Sequence, residues 1–424
     1  MSEFVKLRWS SNLGDGGLPR RDRRPCQYDA YVPDLLTGRR FLLDGEVAAD
    51  VADAEAAVVG LNTDATALVD TEALARILLR AEAVASSRIE GLEVGARRIL
   101  HAEVVRGMHE GSTDVTATEV LNNIDAMVFA VESVGDGDPI TTDMLLEMHR
   151  RLLVGTRQEE YGGKLRDQQN WIGGSSHNPC SATFVPPPHE LIKGLVDDLC
   201  AFCCTDDLPA VAQAAIAHAQ FETIHPFVDG NGRTGRALIH LVLRRRGLAV
   251  RVLPPVSLIL ATWAQSYIDG LTQFRYVGSP SSPVAVEGLN IWIGLFASAC
   301  TRSVNDATTF EERAVALEHE WRNRLGSVRA KSGTDVLLHV LPGAPVLTVD
   351  GAAALIGRTY KPAAAAIERL VDVGILRQVN VGRRNRAFEA PEVIAAFTAL
   401  ERQLSSPEGD TRTSRPARTV PRRR

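Results

Sequence analysis

The segment Ile224–Arg236, with the sequence IHPFVDGNGRTGR, constrains most strongly what this chain can fold into. Apolar residues recur at helical spacing before and after it, so it is a short loop that leads into the N-terminus of a helix. Gly230, Asn231 and Gly232 permit the left-handed backbone that such a loop needs. Backbone N–H groups at a helix N-terminus bind anions, and the helix dipole reinforces them. The pattern therefore predicts an anion-binding loop.

The side chains of the same segment suit phosphate chemistry. Arg233 and Arg236 lie one turn apart and share a helix face. Asp229 is a hard oxygen ligand of the kind that holds Mg²⁺ against phosphates. His225 can accept a proton near neutral pH. A glycine-rich helix cap needs neither the paired arginines nor the carboxylate, so the combination favours a phosphate site with a metal and a base.

The segment matches the Fic-domain signature His-x-Phe-x-Asp-Gly-Asn-Gly-Arg-x-x-Arg at every defined position. The chain therefore resembles proteins that transfer AMP from ATP to a hydroxyl group of a target protein and release pyrophosphate. The resemblance implies that His225 deprotonates a Tyr, Ser or Thr hydroxyl, that Asp229 holds Mg²⁺, and that Phe227 anchors the loop in the core. The implied phosphate contacts are Gly230, Asn231 near the α-phosphate, Gly232, Arg233 with the β-phosphate and Arg236 with the γ-phosphate.

Bulk composition limits the class of protein. A chain of 424 residues predicts two or three domains, and 45% hydrophobic with 23% charged residues is typical of a soluble globular protein. A net charge of −5 argues against wholesale coating of nucleic acid. Neither a signal-like start nor an uninterrupted apolar run of membrane-spanning length is evident, which predicts a cytoplasmic protein without membrane contact. Cys200, Cys203 and Cys204 lack a second ligand pair at zinc spacing and indicate buried thiols.

The expected fold class is mainly α: a Fic helical core with a β-hairpin flap, followed by a C-terminal winged helix of the α+β type. The flap, within residues 163–188, resembles the Fic segment that lends a strand edge to a target peptide, and a purely structural hairpin is the alternative. The expected domains are a flexible lead-in at 1–27, an N-terminal Fic-associated segment with an inhibitory helix at 28–117, the catalytic core at 118–305, a connector helix at 306–330, the winged helix at 331–400 and a basic disordered tail at 401–424.

One helix before the core resembles a regulatory element. Thr71 can cap it, and it closes with Ser86-Ser87-Arg88-Ile89-Glu90-Gly91, where glycine is the natural residue after a helix end. By itself this pattern is typical of a polar helix end with a solvated glutamate. In front of a Fic core it resembles the Fic inhibitory motif, which implies that Glu90 pairs with Arg236, that Ser86 steadies it, and that the γ-phosphate is excluded.

The last part of the chain resembles a winged helix, because three helical patterns precede two strands joined by a basic turn. The recognition helix would begin near Thr359, and the wing would carry Arg383, Arg384 and Arg386. Residues 331–400 hold eight Lys or Arg against six Asp or Glu, so DNA binding is permitted but not required. Protein contact is the alternative role for this domain.

Two further aromatic positions are ambiguous. Tyr267 falls about where Fic proteins place adenine-pocket residues, although a core tyrosine explains it equally well. His149 lies in an apolar pattern that favours a core or surface histidine over a catalytic one.

The expected function is an autoinhibited, Mg²⁺-dependent protein adenylyltransferase. One alternative is a Fic enzyme that removes AMP, in which Glu90 positions water. Another is a DNA-binding transcriptional regulator whose site senses a nucleotide and does not catalyse a reaction. A third is transfer of a different nucleotide or phosphate group. The target protein and its acceptor residue stay open. The oligomeric state also stays open, and a homodimer is one of the alternatives.

Overall fold

A computed structural model of the chain describes residues 1–11, 20–63, 72–108, 114–381 and 385–403. Thr71, the wing residues Arg383 and Arg384, and residues 404–424 of the tail lie outside these ranges. The described residues are mostly helical, which confirms the mainly-α fold class. In chain order the strands and helices are β1 (Glu3–Trp9), β2 (Cys26–Val32), α1 (Gly45–Thr63), α2 (Glu72–Ile89), α3 (Ala96–Gly107), α4 (Val115–Glu132), α5 (Thr142–Leu153), α6 (Ile192–Cys203), α7 (Ala210–Ile224), α8 (Asn231–Arg245), α9 (Val256–Thr262), α10 (Ala264–Phe274), α11 (Pro283–Leu325), α12 (Gly333–Val340), β3 (Val346–Leu347), α13 (Val349–Leu355), α14 (Tyr360–Asp372), β4 (Arg377–Val381), β5 (Asn385–Glu389) and α15 (Pro391–Gln403).

The chain divides into two compact units that interleave along the sequence. The first unit contains residues 1–52, 129–247 and 265–297, and the second contains 53–128, 248–264 and the residues from 298 onward. The expected inhibitory helix and the expected winged helix were assigned to separate domains, yet both fall in the second unit. Sequence position alone could not show this grouping, because it depends on contacts between distant segments.

The first unit is built around α7. Every residue of this helix is buried, and six of its fifteen residues are alanine, whose small side chain lets neighbouring helices approach closely. From α11, the Trp292 indole donates its Nε1–H to the carbonyl oxygen of Ala215 at 2.8 Å. Phe296, one turn later, is fully buried. These contacts give α7 the rigid surroundings that hold the loop following it.

The helix α11 runs unbroken for 43 residues. Residues 306–325 of the expected connector are therefore the last part of a helix that begins at Pro283, since no proline interrupts it afterwards. Among the described residues, this one helix is long and apolar enough to cross a membrane, and just over half of its most apolar window is buried inside the protein. The buried core helix of a protein outside the membrane meets the same criteria of length and apolar composition. Between Glu287 and Arg302 the helix has only 14 consecutive uncharged residues, which is shorter than a membrane-spanning run.

The N-terminus differs from the expected flexible lead-in. Strand β1 pairs antiparallel with β2 along its whole length, from Glu3 opposite Val32 to Trp9 opposite Cys26. Ser2, just before β1, forms a separate bridge, in which its carbonyl oxygen accepts the Gly278 N–H at 2.9 Å. Within β1, Val5, Leu7 and Trp9 alternate with Lys6 and Arg8, a period-two pattern that favours a strand. The expectation of a flexible lead-in did not take this pattern into account.

In the second unit, α2 is fixed by polar contacts from its buried face. The Glu82 carboxylate is fully buried and accepts the Ser257 N–H at 2.7 Å and the Ser257 hydroxyl at 2.5 Å, which caps the start of α9. Arg80 donates to the carbonyl oxygen of Gly343 at 2.9 Å and to Glu103 at 2.7 Å. Helix α2 is therefore joined to α9 and to the turn that follows α12.

The C-terminal part of the second unit has the order helix, strand, helix, helix, strand, strand. Its three strands form an antiparallel sheet in the order β3-β5-β4. The short strand β3 and the closing helix α15 were not expected from the sequence. The fully buried Glu389 of β5 accepts hydrogen bonds from His101 and Arg97 of α3 and from Arg377 of β4. Burial opposes ionisation of Glu389, yet these donors hold the pKa of its carboxyl below the ordinary value.

Candidate active site

The site begins where α7 ends, at His225. The His225 backbone is left-handed, with φ 50° and ψ 61°, and its N–H donates to the carbonyl oxygen of Phe221 at 2.9 Å. A residue with a Cβ atom is strained in this conformation. This backbone conformation turns the chain sharply out of the helix at the residue that the family resemblance implies is the base.

The loop after His225 is held by Asn231. The Asn231 side chain accepts the Phe227 N–H at 2.8 Å and donates to the Phe227 carbonyl oxygen at 2.9 Å. Phe227 itself is fully buried and packs against Phe221. Because the Asn231 side chain is used in this way, its backbone N–H is the group that it can offer to a phosphate.

The packing in and beside the loop requires glycine at two positions. Gly230 has φ 73°, and a Cβ atom there would lie 2.7 Å from Cδ2 of Leu152. At Gly235 a Cβ atom would lie 2.6 Å from Oε1 of Glu222 on α7. Helices α7 and α8 therefore pack closer together at Gly235 than a larger residue there would allow. Gly232 is buried in the first turn of α8, where its N–H has no partner within the helix.

Arg233 carries the clearest electrostatic feature. Only 5% of its side chain is exposed, and its Nη2 lies 3.4 Å from Oδ2 of Asp229. The Nε and Nη1 atoms are buried without a hydrogen-bond partner among the described residues. Buried guanidinium donors are costly to leave unpaired, so an anion that meets them binds favourably. The Asp229 side chain is 47% exposed and can reach a metal at the loop surface.

Arg236 and Tyr267 lie deeper in the first unit. Arg236 is 1% exposed, in the second turn of α8. Tyr267 is 4% exposed, and its hydroxyl lies 2.7 Å from Nε2 of His218, in a cluster with Trp292. Burial, reinforced by the positive charge of Arg236, lowers the pKa of His218 to about 3. This packing places Tyr267 in the aromatic core of the unit.

Arg166 and Asn170 are site residues that the sequence did not single out. Arg166 is 3% exposed and donates its Nε–H to the His225 carbonyl oxygen at 2.9 Å and an Nη2–H to Pro187 at 2.6 Å. Burial lowers its pKa to about 10. Asn170 donates to the Phe227 carbonyl oxygen at 3.0 Å. Their only sequence signal was a cation and an amide inside a segment interpreted as a hairpin.

That segment is more irregular than the expected β-hairpin flap. A single antiparallel bridge joins Ile172 to Phe184, without paired strands. The residues between them are fixed from outside: Cys180 forms a disulfide with Cys26, and Asp22 accepts a hydrogen bond from the Ser175 hydroxyl at 2.9 Å. The disulfide spans 154 residues, and no cysteine spacing pointed to it.

The expected inhibitory segment lies in the second unit, at the end of α2. The helix closes with a double backbone cap: Gly91 N–H donates to Arg88 and Leu92 N–H donates to Ser87, at 2.9 and 3.0 Å. Gly91 has φ 83°, as a residue after a helix end requires. Ser86 is fully buried, and Glu90 follows the last helical residue. Asn123 holds this helix end by donating to the Ala83 carbonyl oxygen at 2.8 Å.

A buried arginine at a helix N-terminus, next to an exposed carboxylate and a strained histidine, is an arrangement that is able to bind a phosphate group. Residues 139–243 match the Fic/DOC family, and residues 48–132 match its N-terminal region, described as Fic/DOC family N-terminal. The two matches identify a Fic/DOC domain in this chain, preceded by the N-terminal region of that family.

Relatives in two animal groups carry related sequences. Protein adenylyltransferase fic-1 of Caenorhabditis elegans is 38% identical over 130 residues, which cover 31% of this chain and 23% of that protein. Protein adenylyltransferase Fic of Drosophila willistoni is 35% identical over 138 residues, covering 32% of this chain and 26% of that protein. The matches thus span about a quarter of the length of these relatives.

Solved structures include looser matches. A Fic family protein from Desulfovibrio desulfuricans aligns with a TM-score of 0.48 at 18% identity, over 82% of this chain and 97% of that one. The fragment of residues 134–508 of Fic-1 from C. elegans aligns with a TM-score of 0.45 at 21% identity, over 63% of this chain and 74% of that one.

Proposed function

We propose that this protein is a Mg²⁺-dependent adenylyltransferase that transfers AMP from ATP to a Tyr, Ser or Thr hydroxyl of a target protein. The observation that carries the proposal is Arg233 at the N-terminus of α8, whose buried Nε and Nη1 atoms have no hydrogen-bond partner within the part of the chain that the structure describes. The names of the relatives in nematode and fly, both protein adenylyltransferases, support the same activity.

In the proposed reaction the target hydroxyl oxygen attacks the α-phosphorus of ATP. His225 accepts the hydroxyl proton, an O–P bond forms, and the bond from the α-phosphorus to the bridging oxygen breaks, so that pyrophosphate leaves. Arg233 and the first N–H groups of α8 stabilise the charge that develops on the leaving phosphates. Arg166 and Asn231 keep the loop in one conformation, which saves the cost of ordering it during the reaction.

The donor set also fits a magnesium ion. Asp229 offers one half-exposed carboxylate, and Mg²⁺ in nucleotide sites is commonly held by one or two carboxylates together with substrate phosphates. Bound Mg²⁺ would neutralise phosphate charge and favour departure of pyrophosphate.

We also propose that Glu90 restrains the enzyme by pairing with Arg236, with Ser86 supporting it. A carboxylate on this guanidinium would occupy the group that the γ-phosphate of ATP needs. The proposal rests on the resemblance of residues 86–91 to the Fic inhibitory motif, and the backbone cap at Gly91 holds Glu90 at the end of α2.

The test is incubation with α-³²P-labelled ATP and Mg²⁺ in cell lysate, comparing the wild type, Glu90→Gly, and Glu90→Gly combined with His225→Ala. We expect label on protein with Glu90→Gly and none with the double variant. Equal labelling by the wild type and Glu90→Gly would contradict the inhibitory role. No label with any variant would favour removal of AMP, which release of AMP from a modified substrate would then test.

The second candidate function is DNA binding by residues 331–400. We propose that these residues form a winged helix with α14 as its recognition helix, because the order of helices and strands fits and Tyr360 and Lys361 are exposed at its start. Glu368 and Asp372, exposed further along α14, oppose phosphate contact and favour a protein partner instead. An electrophoretic shift on genomic fragments at low salt tests the DNA role; failure to retard any fragment would count against it.

A further inference from the structure

The fully buried His149 of α5 lies directly beneath the signature loop. Its ring stacks on the ring of Phe227, with centroids 3.8 Å apart and planes inclined by 8°. A Cβ atom at Gly230 would also lie 3.6 Å from Cδ2 of His149. The histidine therefore packs on Phe227, which anchors the loop, and lies beside Gly230, the residue before α8.

The hydrogen bonds of His149 fix which ring nitrogen carries the proton. The Gly163 N–H donates to Nδ1 at 3.1 Å, so Nδ1 is an acceptor and carries no hydrogen. In the neutral ring the proton is then on Nε2, which donates to the Asp229 carbonyl oxygen at 3.0 Å. The ring thus links the Gly163 backbone to the signature loop in one defined orientation.

The hydrogen bond to the Asp229 carbonyl oxygen also orients the peptide unit between Asp229 and Gly230. The peptide unit between Asp229 and Gly230 is planar and trans, so its carbonyl and its N–H point in opposite directions. Fixing the oxygen fixes the direction of the Gly230 N–H and the orientation of the chain that enters α8. It also limits the positions that the Asp229 carboxylate can reach.

We propose that His149 is a positioning residue for AMP transfer, which orients the Asp229–Gly230 peptide so that the Asp229 carboxylate and the N-terminus of α8 face the nucleotide together. This inference rests on the proposed function. His149 does not touch the reacting atoms. It acts through Asp229, as residues behind a metal ligand commonly do.

Two substitutions separate the contacts of His149. His149→Phe keeps a flat ring against Phe227 and removes both hydrogen bonds. His149→Gln removes the ring but can present an amide N–H near the place of Nε2. Leu145→Ala, a buried change one turn earlier on α5, is the matched control for loss of helix packing. All three are made in the Glu90→Gly background.

In steady-state assays we expect His149→Phe to lower kcat or the apparent affinity for Mg²⁺ by about 10- to 100-fold. The KM for the target protein should stay unchanged, and His149→Gln should recover part of the loss. Leu145→Ala should lower the melting temperature without changing the Mg²⁺ dependence. If His149→Phe lowers only the melting temperature and leaves kcat and the Mg²⁺ dependence unchanged, the inference is overturned.

Amide hydrogen exchange of residues 225–234 supplies a readout that does not need activity. Faster exchange in this loop for His149→Phe, with unchanged exchange for Leu145→Ala, supports the positioning role even if no variant transfers AMP. Unchanged exchange in His149→Phe refutes it, whether or not the wild-type site is active. The failure of the proposed function and the failure of this inference therefore give different results.

Discussion

The helices α2 and α7 both end at a residue with a left-handed backbone, but the residue is different in the two. At the end of α2 the residue is Gly91, with φ 83°, and the backbone cap needs nothing from a side chain. At the end of α7 it is His225, with φ 50°. A left-handed backbone costs roughly 1–2 kcal/mol for a residue other than glycine. The strained residue is therefore at the helix end that carries the proposed base.

The two helix ends also differ in the groups that hydrogen-bond to them. The α2 end is closed by its own backbone, with Asn123 as an added support. Around His225 the carbonyl oxygens of the loop are taken by Arg166 and Asn170. Several hydrogen bonds to buried groups can hold a strained residue that one cap could not. The comparison makes three predictions about how the two ends respond to change.

The largest effect is expected for His225→Gly. Without the base, AMP transfer should fall by about 10²- to 10⁴-fold. Stability should change little, because glycine relieves the left-handed strain while the imidazole contacts are lost. His225→Ala is the control: it should lose the same activity and be less stable than His225→Gly by roughly 1 kcal/mol in urea unfolding. Equal stability of the two variants would show that position 225 is not strained in solution.

An intermediate effect is expected from acid, through His218 on α7. Its folded pKa of about 3 lies below the ordinary value of 6.5, so the unfolded chain takes up a proton first as the pH falls. The stability that depends on a neutral His218 is complete above pH 6.5 and is lost between there and about pH 3, at up to roughly 1.4 kcal/mol per pH unit.

Helix α2 contains no histidine, so amide protection should fall first in α7 as the pH is lowered. Hydrogen exchange at a series of pH values measures this order. In His218→Gln the dependence of unfolding free energy on pH should become shallower over the same range. An unchanged slope would exclude His218 as its source.

The smallest effect is expected for Gly91→Ala. A Cβ atom at Gly91 meets nothing within 4 Å, so only the backbone conformation should resist the change. The unfolding free energy should drop by roughly 1 kcal/mol. Gly91→Asn should cost less, since asparagine tolerates the left-handed region better. If alanine is accepted without loss, the cap at the end of α2 does not depend on glycine.

The sequence by itself determined the features that depend on near neighbours. The signature fixed a loop leading into a helix, with Asp229, Gly230 and Arg233 at its start, because helix termini and glycine conformations are set within a few residues. For the same reason Gly91 could be identified as the residue after α2. The family resemblance followed from this local string.

Only the tertiary structure decided which distant residues hold the loop. Arg166 lies 59 residues from His225, and His149 lies 80 residues from Asp229. The strand β1 and the Cys26–Cys180 disulfide likewise depend on partners brought together by folding. Periodicity and capping patterns report on local backbone geometry, whereas these contacts form because buried carbonyl oxygens must be satisfied by whichever donor the packed helices place beside them.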